Sequence, residues 1–184
     1  LMSSIEHKYN YQGEQTEIGA KYLFISKGDE DIIKAVDYTP LGVNFEGKNV
    51  YNFGFGDYDV DTNTTLDSVI SNNGDVYKVF NTALSTIPDF FENNMEAAIF
   101  VRGSDSSPDY IENCKPNCKR NCNEECRNAH RRIIVYRKYI NNNFNALSLE
   151  YQFYGGYTDK DGVKIEEYQL NQNYDSVLLM KKKV

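Results

Sequence analysis

The chain has no tryptophan, only two histidines and only four prolines in 184 residues. With His7 and His130 alone, histidine-based proton transfer has few candidates. GxSxG, HExxH, P-loop and strand–helix GxGxxG patterns are all missing, so none of the familiar hydrolase, peptidase or phosphate-loop signatures applies. No run approaches the ~20 apolar residues that a membrane-crossing helix needs. The opening LMSSIEHKYNYQ has no apolar core of the kind a secretory signal carries. These absences point to a cytoplasmic protein with no membrane partner, in which cysteines stay reduced.

Aromatic residues are plentiful, with 15 tyrosines and 10 phenylalanines. Together with 40% hydrophobic content they argue for a folded globule, and the length suits one domain over residues 1–184. The net charge of −7 conceals an asymmetry. Lys115, Lys119, Arg120, Arg127, Arg131, Arg132, Arg137 and Lys138 crowd into one segment, opposed there only by Glu124 and Glu125. Such a segment attracts phosphate, or else answers an acidic surface elsewhere on the chain.

Alternating apolar residues predict strands at 21–26, 31–38, 49–60 and 97–103, the first two joined through Gly28 and Asp29. In the third, Tyr51, Phe53 and Phe55 share one face. Val76, Val79, Phe80, Ala83, Leu84, Ile87, Phe90, Phe91 and Met95 repeat at helical spacing. Asn72, Asn73 or Asp75 would cap that helix, Pro88 should kink or split it, and Asn93-Asn94 should end it. RRIIVYRKYI (131–140) is rich in β-branched residues and predicts a strand, followed by a short helix over 141–148. Further strands are expected at 148–157, 163–170 and 174–182. The expected fold is α+β: a mainly antiparallel sheet packed on one long, Pro-kinked helix, with a Cys-rich insertion at 105–130 between two strands.

YNFGFGD (51–57), VISNNGDVYKVFNTAL (69–84), FVRGS (100–104), RRIIVYR (131–137) and YDSVLLMKK (174–182) together resemble a family of short bacterial proteins defined only as a domain of unknown function. The resemblance implies a cytoplasmic bacterial protein of the same fold and supplies no activity. A toxin-like or phage-conflict role would suit such a family by analogy. Between Gly103-Ser104 and Arg131-Arg132 the family is short, so the resemblance makes the Cys-rich segment an elaboration outside the shared core.

That segment holds Cys114, Cys118, Cys122 and Cys126, with His130 continuing the spacing. On one unbroken helix the outer two would lie about 18 Å apart at ~1.5 Å per residue. A zinc ion needs every sulfur at ~2.3 Å, so four thiolates can share one only if the chain turns. Pro116-Asn117 is a suitable place. A structural zinc site with His130 as substitute ligand, a pair of disulfides, and free thiols facing a core all remain open. A catalytic thiol is disfavoured, since four equivalent cysteines single out no nucleophile.

Two other clusters carry polar chemistry. DYDVDTN (57–63), with Asp67 beyond, alternates oxygen ligands as a calcium loop does. The EF-hand register from Asp57 nevertheless requires glycine and glutamate where the chain has Thr62 and Ser68. Asn73, Asp75, Lys78, Arg102, Ser104, Arg131, Arg132, Tyr136 and Arg137 form a candidate phosphate or nucleotide set, against a structural ion-pair network as the alternative. As strand residues, Arg131 and Arg132 would point to opposite faces. The expected function is binding of nucleic acid or a nucleotide. The alternative is a protein–protein interaction module built on the Cys-rich loop, and an enzyme using Asp57 or Asp75 with a divalent cation has the least behind it.

Overall fold

The apolar run YLFI within GAKYLFISK lies in β2 (Gly19–Lys27), where burial alternates and Ala20, Tyr22, Phe24 and Ser26 are all buried. In the computed structural model, which describes residues 7–66, 73–118, 120, 122 and 126–183, this strand belongs to the first of two compact units, Leu1–Ala97 and Ala98–Val184. β1 (Tyr11–Thr16), β2, β3 (Asp31–Phe45) and β4 (Lys48–Asp59) pair antiparallel in chain order, and short β5 (Thr64–Leu66) adds to β4. β1 was not expected. Its YQGEQT is exposed after Tyr11, so it lacks the apolar alternation that announces a strand.

Register puts Tyr11, Phe24, Tyr22, Ala20, Val36, Tyr38, Phe55 and Phe53 on one face. Helix α1 (Val76–Asn93) packs its Phe90 on that face. Phe90 stacks on Tyr38 with centroids 4.1 Å apart and meets the Tyr51 ring edge-on at 5.2 Å. The Tyr38 hydroxyl lies 2.8 Å from Thr86 Oγ1. The helix runs through Pro88 without splitting, held by the fully buried Phe90 and Phe91 beyond it. The expected apolar stripe overreaches at both ends, since Val76 and Met95 are exposed.

The second unit contains β6 (Ala97–Arg102) from its second residue on, then α2 (Pro108–Cys114), α3 (Arg131–Glu150), β7 (Tyr151–Asp159), β8 (Gly162–Glu167) and β9 (Ser176–Lys181). β9 lies between β6 and β7, and β8 pairs with β7, all antiparallel. Ser176 to Met180 are buried on both sides of β9. The β7–β8 turn falls at the predicted place, with Gly162 at φ +121° and Asp159 Oδ1 accepting the Asp161 N–H at 2.9 Å.

The largest correction concerns residues 131–140, which are helical. The fold therefore has two long helices, and the Cys-rich segment leads from β6 into α3. Composition misleads there because Ile133, Ile134 and Val135 are adjacent and β-branched. The buried positions Ile133, Tyr136 and Ile140 instead follow a helical period, continued by Phe144 against Phe153 and Tyr168. Asp105 also serves the helix start, its Oδ2 accepting the Arg132 N–H at 3.0 Å. Among the described residues no helix is long and apolar enough to cross a membrane.

The tyrosine-rich interior makes stability sensitive to alkali. Burial holds Tyr38 well above its ordinary range, and burial reinforced by Asp89 pushes Tyr11 and Tyr22 up to about 12. Unfolded tyrosines ionise near pH 10. Between about pH 10 and 12 the unfolded chain sheds protons that the folded chain retains. The stabilisation is therefore complete below about pH 10 and lost as pH rises through the folded values. Tyrosinate absorbance and loss of circular dichroism should rise together above pH 10. Ionisation of every tyrosine near pH 10 with the dichroism unchanged would contradict this packing.

Candidate functional site

At the start of α1 the candidate residues are already committed. Asn73 is buried; its Oδ1 accepts the Glu30 N–H and its Nδ2 donates to Ser26 Oγ and the Glu30 carbonyl, all at 2.8–2.9 Å. Asp75 stands at the N-cap but makes no side-chain cap bond; its Oδ2 accepts the Tyr9 and Ser26 hydroxyls at 2.7 and 2.6 Å. Lys78 lies over the Tyr9 ring at 4.3 Å. A carboxylate thus occupies the positive end of this helix. Asn72 and Asp67 lie outside the described residues.

The acidic loop is similarly engaged. Asp57 pairs with buried Lys34, its cross-strand partner. Asp59 Oδ1 accepts the N–H groups of Asp61 and Thr62 at 2.9 and 3.2 Å, and these bonds hold its carboxyl below the usual range. Asn63 takes a left-handed φ of +55° and accepts from the Tyr58 hydroxyl. The oxygens that suggested a calcium loop shape a turn instead.

The remaining candidates belong to the second unit. Arg102 is half-buried on β6 beside its register partner Ser176, and Arg102 Nε and Ser176 Oγ are buried without partners. Ser104 opens a 3-10 turn over Ser104–Ser106, whose Asp105 and Ser106 are buried. Tyr136 is a core residue of α3 whose phenol burial raises, and Arg137 donates to the Tyr174 carbonyl at 3.1 Å. Arg131 is exposed and Arg132 half-buried.

What the helix assembles is an exposed row: Arg131, Ile134, Val135, Lys138, Asn142, Asn145 and Leu149 recur at three- or four-residue steps along α3. Its one acidic residue is the terminal Glu150. Lys115, Arg120 and Arg127, in the segment before it, are also exposed; Lys119, Glu124 and Glu125 lie outside the described residues. The alignment of Arg131 with Lys138 was missed because a strand over 131–140 has the wrong period to show it, and a separate short helix over 141–148 left Asn142 and Asn145 detached from those cations.

The four cysteines are free and half-buried. Cys118 and Cys122 sulfurs lie 3.4 Å apart, and Cys114 interacts with both Cys118 and Cys126. The backbone N–H groups of Cys122 and then Arg120, with the Cys122 thiol, pull the Cys118 thiol down to about 7. Among the described residues no group of three or more His, Cys, Asp or Glu side chains is gathered as a ready metal site. His130 is exposed at the N-cap of α3, with φ +60°, and its N–H binds the Asp105 carbonyl at 3.1 Å.

No curated protein and no solved structure matches this chain. The profile of a family of unknown function, DUF6934, matches residues 6–110. That span takes in the sheet and helix of the first unit, then β6 and the start of α2, and ends before Cys114 and α3. It covers more than half of the sequence, and the chain is a member of DUF6934.

Proposed function

We propose that the second unit binds nucleic acid, RNA in the first instance, through the exposed row of α3 and the cations of the segment preceding it. The observation behind this reading is the row itself. Arg131 and Lys138 flank exposed Ile134 and Val135, Asn142 and Asn145 follow, and no acidic side chain intervenes. Cations neutralise phosphates and release counterions, asparagine offers paired donors and acceptors to base edges, and apolar side chains meet base faces. Arg137 and Tyr136 support the helix from its inner side.

The test is a fluorescence-anisotropy titration of labelled single-stranded RNA, duplex and free nucleotide against the full chain. RNA should bind, and the double reversal Arg131→Glu/Lys138→Glu should weaken it by at least about tenfold. Equal affinity of the reversed protein would overturn the assignment of this surface. The exposure of Ile134, Val135 and Leu149 on the same row also suits a protein partner. A defined protein captured by the chain in the absence of RNA binding would favour that second reading.

A further inference from the structure

We infer that Cys114, Cys118, Cys122 and Cys126 together bind one zinc ion, fastening the end of α2 to the segment that enters α3. The geometric objection to four ligands concerned an unbroken helix, and the chain is not one. α2 ends at Cys114, a 3-10 turn follows over Lys115–Asn117, and Cys118 is extended with φ −70° and ψ 108°. The cysteines therefore leave a common stripe, and the Cys118 and Cys122 sulfurs come within 3.4 Å of each other.

Cys118 also interacts with Cys114, and Cys114 with Cys126, so the thiols adjoin in a row that is not gathered around one point. The 3.4 Å between Cys118 and Cys122 is close to the ~3.8 Å edge of a tetrahedron with sulfurs ~2.3 Å from its centre. It is far from the ~2.05 Å of a disulfide. Drawing the four sulfurs onto one ion closes the row.

The surroundings are built for thiolates. The Arg127 N–H donates to Cys122 Sγ at 3.2 Å, and Asn128 Nδ2 to Cys114 Sγ at 3.4 Å. Donors aimed at sulfur stabilise its anionic form and orient a ligand, whereas thiols packed merely as small apolar groups need none. On binding, four S–H groups release their protons to solvent, four Zn–S bonds form, and no electron is transferred. The resulting site carries two net negative charges, offset by exposed Lys115, Arg120 and Arg127. His130 takes no part in the thiol contacts, so four thiolates, and not three with a histidine, make the ligand set.

The experiment is elemental analysis of the full chain purified with reductant, followed by chelation and titration with cobalt(II). About one zinc per chain is expected, and cobalt should give the intense visible bands and thiolate charge transfer of a tetrahedral sulfur site. Cys118→Ser and Cys122→Ser should each lose most of the bound zinc, while His130→Ala retains it. Far-UV circular dichroism identifies a variant that fails to fold. Cobalt spectra of the chelated wild-type chain decide the matter independently of any variant. Absence of zinc with no cobalt–thiolate band, or mass loss showing paired disulfides under the same conditions, would overturn the proposal. Loss of zinc in His130→Ala would overturn the four-thiolate ligand set.

Discussion

Replacing Phe90 with alanine should lower the unfolding free energy of the first unit by about 3–5 kcal/mol. Phe90 is fully buried and joins α1 to two strands at once, stacked on Tyr38 of β3 and edge-on to Tyr51 of β4. Its loss removes the transfer energy of a whole ring and leaves a cavity beneath the middle of the sheet, in surroundings too rigid to collapse into it. Phe90→Leu should cost far less, because it keeps most of the volume. Urea unfolding followed by circular dichroism measures both. A loss below about 1 kcal/mol for alanine would mean that α1 is not seated on this face.

The second large effect comes from separating a buried charge pair. Lys34 and Asp57 face each other across β3 and β4, with side-chain exposures of 6% and 17%. Asp57→Ala removes the carboxylate that buried Lys34 faces and should cost about 3–5 kcal/mol. The double replacement Lys34→Met/Asp57→Leu should recover most of that loss, since a buried ion pair contributes little beyond well-packed apolar groups of like volume. Calcium should leave the unfolding midpoint of the wild-type chain unchanged, because Asp57 serves Lys34 and Asp59 serves its own turn. A calcium-dependent rise in the midpoint, abolished by Asp57→Ala, would restore the metal-loop reading.

The sheet was readable wherever one face was buried. In β4 the aromatic residues Tyr51, Phe53 and Phe55 record which side meets α1, whereas β9, buried on both sides, shows as an unbroken apolar run. β1 was invisible because a solvated edge strand needs no such pattern, and its pairing is written in the backbone hydrogen bonds with β2. α3 was misread for a different reason: tertiary packing of Ile133, Tyr136, Ile140 and Phe144 overrides the strand preference of adjacent Ile and Val. The site suffered with it. A strand would have sent Arg131 and Arg132 to opposite faces, while the helix aligns Arg131 with Lys138. The candidate residues of the first unit had chemically sensible types but are occupied by their neighbours: Asp75 by Tyr9 and Ser26, Asn73 by Ser26 and Glu30. Residue type alone cannot reveal such prior engagement.

The cations of the second unit are tested most directly by the salt dependence of RNA binding. For wild type, the logarithm of the association constant should fall linearly with the logarithm of salt concentration, by roughly 0.7 per phosphate neutralised on a single strand. Removing two contacts with Arg131→Gln/Lys138→Gln should flatten that slope by about 1 to 1.5. A wild-type slope near zero, or a slope that the double variant leaves unchanged, would contradict nucleic-acid binding by α3.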